Sequence, residues 1–208
     1  MLHRVVYITF LVVLVFPALS WATPGVPDPE QSNVETGLVE DVSLVVSPNG
    51  SGTPLTEAKN FQGQILDATV IITFRDSEGF PVLNMPAEDI WMESECGSLC
   101  FGNISSEQGT DINGQLFFQN PLFAGGCCEE YSLWISYNGV HIGEGTIPFI
   151  RYNSPDMNGD LEVNLTDVSS FASHFYSSYS YCADFKWDGV LNLLDVGILA
   201  GHIGSSCP

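Results

Sequence analysis

From residue 42 onward the chain sets short apolar runs between polar turn clusters, the pattern of β-strands rather than helices. Residues 42–46 form an apolar run closed by Ser47-Pro-Asn-Gly50. Residues 68–74 are rich in β-branched side chains and stop at the turn cluster Asp76-Ser-Glu-Gly79. Residues 90–92, 115–118, 131–137 and 140–150 supply further strands, and Asn138-Gly139 is a type I′ hairpin signal between the last two. No helical period emerges in this stretch. Six or seven short strands over about 110 residues predict an antiparallel β-sandwich.

Beyond residue 155 the pattern changes and repeats itself. Asp156-Met-Asn-Gly-Asp-Leu-Glu-Val-Asn-Leu-Thr-Asp167 returns 28 residues later as Asp184-Phe-Lys-Trp-Asp-Gly-Val-Leu-Asn-Leu-Leu-Asp195. Val168, Phe171, Ala172 and Phe175 then trace one apolar helix face, and Val196, Leu199, Ala200 and Ile203 repeat it in register. Each unit is a loop feeding one amphipathic helix. One such helix cannot bury its apolar face alone, whereas two related by duplication can pack face to face. His174 and His202 also stay in register, and their simplest reading is as helix-surface residues copied by duplication, with a metal role the alternative.

The loop spacing is that of a calcium site, in which residues 1, 3, 5, 7, 9 and 12 curl around one hard cation. This assigns Asp156, Asn158, Asp160, Glu162, Asn164 and Asp167 to a first site. Asp184, Asp188, Val190, Asn192 and Asp195 form a second. Position 3 of the second loop is Lys186, which has no lone pair to donate while protonated, so the second site is expected to be weaker. Position 6 is Gly189 in the second loop but Leu161 in the first, where a side chain carries a backbone cost. Because calcium neutralises mutually repelling carboxylates, binding and folding are expected to be coupled.

The doubled Asp-x-Asn-x-Asp-x-x-Val-Asn-x-x-Asp pattern resembles the dockerin type I family of extracellular calcium modules, over roughly residues 153–207. The resemblance implies a small all-α, EF-hand-like module that docks onto cohesin domains of scaffolds or cell surfaces, often within polysaccharide-degrading assemblies. It implies partner contacts at loop positions 10 and 11, here Leu165-Thr166 and Leu193-Leu194, less polar than many such pairs. Upstream, Thr110-Asp-Ile-Asn-Gly-Gln-Leu-Phe-Phe118 and Asp76-Ser-Glu-Gly-Phe-Pro-Val82 look like segments of bacterial Ig-like domains of the invasin type. The organisation expected is a signal peptide (1–22), a flexible leader (23–41), an Ig-like β-sandwich (42–151) and a dockerin-like calcium-binding domain (152–208).

The compartment follows from the N-terminus. A short basic start, an apolar run over residues 5–20 and the small residues Ser20 and Ala22 read as a secretory signal peptide. A retained anchor is the alternative, though the run is short for a span and holds Pro17. Six cysteines in an exported chain suggest three disulfides. Cys182–Cys207 is the natural pair, closing a loop of about 26 residues worth roughly 3–4 kcal/mol. Vicinal Cys127 and Cys128 are each expected to take one of Cys96 and Cys100, in an order that is open. A zinc site on these four is the alternative, with poor spacing for a tetrahedron.

With 25 acidic and 5 basic residues the chain carries a formal charge of −20, which disfavours nucleic acid and anionic membrane surfaces as partners. No nucleophile motif is present. Glu93 with Glu95, and Glu129-Glu130, are the nearest approach to an acid–base pair and fit ordinary strand edges and turns, so no catalytic residue is assigned. Trp91 and Trp134 read as core residues or as platforms for sugar rings. The sequons at Asn103 and Asn164 carry little weight. The leading expectation is a secreted, non-catalytic docking protein with a cohesin-type partner. The alternative is a calcium-stabilised adhesin or carbohydrate-binding protein without one.

Overall fold

In β10 (Leu133–Tyr137) and β6 (Ile90–Ser94) buried Leu133, Ile135, Ile90 and Met92 alternate with half-buried Trp134 and Trp91, so one face of each strand is lined by apolar side chains. The computed structural model describes residues 25–100, 108–131, 133–143 and 145–208. The expected signal peptide and the Asn103 sequon lie outside the described residues.

Alternation of this kind builds β1 (Asn33–Thr36), β5 (Val70–Thr73) and β8 (Gln115–Phe118) into one antiparallel sheet in the order β1-β5-β8. A second antiparallel sheet runs β11-β10-β6, with β11 at Val140–Ile142. Asn138 and Gly139 both adopt positive φ, 48° and 80°, as the two-residue turn between β10 and β11 requires. A third sheet contains β2 (Val42–Val45), β3 (Ala58–Lys59), β4 (Ile65–Leu66) and β12 (Ile150–Asn153) in the order β12-β2-β3-β4. Here β2 and β12 run parallel. A ribbon of β7 (Ser98–Leu99) and β9 (Ala124–Gly125) completes the set. All four sheets contribute to one core, in which Leu44, Ile72, Phe74, Met92, Ile135 and Tyr152 are fully buried.

Strand β2 reads as an apolar run because both its faces are covered. Val42 and Leu44 enter the main core, whereas Ser43 and Val45 face the C-terminal residues: Ser43 Oγ lies 2.8 Å from Tyr181 Oη, and Val45 joins the second apolar cluster. Part of the expected leader is also ordered, since β1 pairs with β5 along its whole length. Strands of two residues, such as β3 and β9, are too short to leave an alternating signature.

The C-terminal residues hold α1 (Leu165–Phe175) and α2 (Leu193–His202). The expected free-standing all-α, EF-hand-like module after an Ig-like sandwich is not what the chain adopts. The fold is β-rich with two short helices, whose apolar faces are only partly buried. Phe171 and Leu199 are buried, but Ala172, Val196, Ala200 and Ile203 are exposed, and Ile203 lies outside α2 as its C-cap. The small second core is filled mainly from the loops, by Val163, Ala183 and Phe185, with Phe171 stacked on Phe185 at 5.8 Å and Val45 lent by β2.

All six cysteines are bonded, but the pairing corrects the expected one. Cys182 and Cys207 do not join each other: Cys127 bonds Cys182, Cys100 bonds Cys207, and Cys96 bonds Cys128. Vicinal Cys127 and Cys128 point to opposite sides of the extended chain, so only Cys128 reaches its neighbour in the β-rich body. The other two disulfides fasten the second loop–helix unit to that body, at Cys182 just before its loop and at Cys207 after its helix. A zinc site on these cysteines is excluded by the same pairing.

Candidate functional site

Each loop is organised by two carboxylates at its base. Asp156 and Asp167 in the first loop, and Asp184 and Asp195 in the second, are fully buried. Asp156 accepts from the backbone N–H groups of Gly159, Asp160 and Leu161 at 2.8–3.2 Å. Asp184 accepts from those of Asp188 and Gly189 at 3.2 and 2.8 Å, and from the Tyr179 hydroxyl at 3.0 Å. The twelfth residue closes each loop. Asp167 accepts from Met157, Asn158 and Asn164 N–H; Asp195 accepts from Lys186 and Asn192 N–H.

Positions 9 and 12 also start the helices. Asn164 accepts from Thr166 N–H while Asp167 accepts from Asn164 N–H, a capping box that α2 repeats with Asn192 and Asp195. The negative carboxylate sits where the helix dipole favours it. This capping role was legible in the Asn-x-x-Asp spacing but is masked there by the ligand pattern.

The two loops share a backbone. Positions 4 and 6 are left-handed in both, at Gly159 (φ 72°) and Leu161 (69°), and at Trp187 (53°) and Gly189 (80°). Toward the mouth of the first loop Asn158, Asp160 and Glu162 are exposed and Asn164 is half-buried; in the second, Asp188 and Asn192 are half-buried and Val190 is exposed. Asn158 Nδ2 donates to Asp160 Oδ2 at 2.9 Å.

Does the first loop fit a cation? Burial, with Asp167 and Asp160 close by, pushes the Asp156 carboxyl up to about 6 against the pull of its N–H donors. Among the described residues the ion pairs are Arg151–Asp41, His141–Glu93 and Lys186–Asp188, and none of them reaches the first loop. A divalent cation is what such buried, mutually repelling carboxylates lack, and the hard oxygen donors of Asp156, Asn158, Asp160, Asn164 and Asp167 suit calcium. Among the described residues no three His, Cys, Asp or Glu side chains are already gathered as a metal-ligating group.

The β-rich body presses on both loops through residues that no local pattern announced. Gly126 N–H donates to the Asp156 carbonyl, Ser98 Oγ to the Gly159 carbonyl, and Asn153 Nδ2 to the carbonyls of Tyr181 and Asp184. Phe61 meets Trp187 edge-on at 5.7 Å. Beside the second loop a cleft of about 430 Å³ opens against β2, β3 and β4, bordered by Lys59, Lys186, Trp187 and His202.

Leu165, Thr166, Leu193 and Leu194, the positions expected to contact a partner, are all exposed, Leu165 and Leu193 by 78% and 79%, at the first turns of α1 and α2. His174 and His202 lie in the last turns of their helices, and a His202 ring nitrogen bonds the Ile198 carbonyl. Glu93 accepts from the indole N–H groups of both Trp91 and Trp134, at 2.8 and 3.1 Å. Glu129 and Glu130 are exposed.

Compared with family models, curated proteins and solved structures, the chain matches none of them. Among the described residues no helix is long and apolar enough to cross a membrane, and three disulfides are chemistry that an oxidising compartment supports.

Proposed function

We propose that this is a secreted, non-catalytic interaction protein whose C-terminal repeat binds calcium and presents a docking surface. The observation that carries the reading is the buried pair of carboxylates, Asp156 and Asp167, at the base of a loop with calcium-ligand spacing and no cation partner among the described residues. Calcium held by Asp156, Asn158, Asp160, Asn164 and Asp167, with the Glu162 backbone, neutralises that charge and stiffens the turn that starts α1. The surface beside it carries Leu165 and Thr166, with Leu193 and Leu194 at the equivalent turn of α2. Large apolar side chains exposed this fully suit a partner protein. The ligand pattern makes a cohesin-type domain, on a scaffold or cell surface, the partner class.

The test is a calcium-dependent pull-down from the producing organism's extracellular fraction, with and without chelator. A single partner retained only with calcium, and lost in the Leu165→Asp/Leu193→Asp variant, is the expected result. Retention by that variant overturns the surface assignment.

A second reading is favoured by the outer face of β6, β10 and β11. There Trp91 and Trp134 are both anchored to Glu93, and His141 lies 4.9 Å from Trp134. Two fixed indoles on one sheet face suit sugar rings, and the calcium loops then serve as a staple for a carbohydrate-binding or adhesive body. Polysaccharide binding that survives chelation and is lost in Trp134→Ala distinguishes it.

A further inference from the structure

The second loop is folded as the first is, yet one of its calcium-ligand positions is a lysine. Its buried base carboxylates, its capping box and its two left-handed residues all match those of the first loop. At position 3, where the first loop has Asn158, the side chain of Lys186 reaches position 5, and its Nζ lies 3.3 Å from Asp188 Oδ2. In the first loop the same two positions are joined by Asn158 Nδ2 and Asp160 Oδ2. The geometry points to Lys186 as the built-in cation of the second loop, with its ammonium occupying the calcium-facing role so that this loop folds without metal and the protein binds one calcium, at the first loop.

The chemistry separates the two positions sharply. An Asn amide offers a carbonyl oxygen as well as its N–H donors, so rotation converts Asn158 from a donor to Asp160 into an oxygen ligand. The ammonium of Lys186 has three donors and no lone pair; it competes with a divalent cation by charge and by volume. The charge count runs the same way. Asp156, Asp160, Glu162 and Asp167 give the first loop four carboxylates and no cation, whereas the second has Asp184, Asp188 and Asp195 with Lys186 among them, and Val190 where the first has Glu162. The second loop also has a donor that the first lacks, the Tyr179 hydroxyl on Asp184. The residue 28 positions before Tyr179 is Arg151, which is engaged elsewhere with Asp41.

This inference rests on the calcium reading of the first loop for its count of one, and the experiment keeps the two apart. The full chain is stripped with chelator and titrated with calcium, and bound ions are counted by elemental analysis after equilibrium dialysis. The wild-type protein is expected to hold one ion and Lys186→Asn two. Lys186→Met, which removes the charge and supplies no oxygen, is expected to hold one and to melt at a lower temperature than wild type in chelator. Two ions in the wild-type protein overturn the inference, and so does a single ion in a folded Lys186→Asn. No ion in wild type with one in Lys186→Asn leaves the lysine assignment standing and overturns the calcium reading of the first loop. If Lys186→Asn fails to refold, the wild-type count and the melting of Lys186→Met decide.

Discussion

Leu161 and Gly189 hold the same left-handed backbone, φ 69° and 80°, at the sixth position of the two loops. Glycine adopts it freely, whereas an L side chain there costs about 1–2 kcal/mol. Leu161→Gly is therefore expected to raise stability by about 1 kcal/mol, reduced by whatever packing the half-buried leucine contributes. Gly189→Leu is expected to lower it by at least as much, since a Cβ there would also meet Phe61 Cζ at 3.1 Å. Chemical denaturation in chelator checks both, and equal effects of the same sign count against the shared loop geometry.

The disulfides define the next expectation. Non-reducing peptide mapping should recover Cys127–Cys182 and Cys100–Cys207 and no Cys182–Cys207 peptide. The Cys100–Cys207 bond spans 107 residues, so the Cys100→Ser/Cys207→Ser variant should lose about 4–5 kcal/mol in the chain-entropy account. An unchanged denaturation midpoint contradicts this.

The pH dependence of the metal-free protein has a definite sign. Burial lifts the Asp156 carboxyl from the ordinary value near 4 up to about 6, and burial raises Asp195 as well. Between these values the folded state binds a proton that the unfolded state has released, so what Asp156 contributes to stability is fullest near pH 4 and is lost as pH rises through 6. Asp195 acts in the same direction and Glu93, held below its ordinary value, in the opposite one. For Asp156 the loss is on the order of 2 kcal/mol. Calcium competes with those protons, so the stabilisation that it gives should grow over the same window. Denaturation midpoints in chelator from pH 4 to 7, for wild type and Asp156→Asn, measure the effect. A wild-type curve parallel to that of Asp156→Asn contradicts it.

What was legible in the sequence is what is local. The Asn138-Gly139 turn, the strand runs at 70–73 and 115–118 and the starts of both helices follow from neighbours a few residues apart. The Asp and Asn spacing that organises the loops is local too. Contacts across the chain left no such trace. Parallel pairing of β2 with β12 joins residues over a hundred positions apart, and β2 shows no alternation because Ser43 and Val45 are covered by the C-terminal residues. The loop–helix repeat alone implies an all-α module, and that covering is what joins it to the β-rich body instead. Of the apolar positions that the helical period picks out, only Phe171 and Leu199 are buried, and Ile203 falls outside α2. Cysteine spacing likewise favours the near pair Cys182–Cys207, whereas these two cysteines bond across the chain over 55 and 107 residues; Cys128 does bond Cys96, one of its two expected partners.

Gly125 carries the most direct test of that fastening. It sits in β9 with its Cα facing the first loop, and a Cβ added there would lie 1.8 Å from Asp156 Oδ2. Its backbone is not left-handed, so Gly125→Ala introduces a steric clash without a conformational penalty. Since Asp156 is held by three backbone N–H groups and by the Gly126 contact to its carbonyl, it has little room to retreat. Overpacking of this kind costs about 1–3 kcal/mol. Gly37→Ala, where nothing lies within 4 Å, serves as the control and should be nearly silent. If the first loop holds calcium as proposed, Gly125→Ala should weaken that binding as well as lower stability, because the displaced carboxylate is the first ligand of the proposed site. Calorimetric titration of the two variants separates these effects. Unaltered calcium affinity in a folded Gly125→Ala protein would show that the β-rich body does not position the loop.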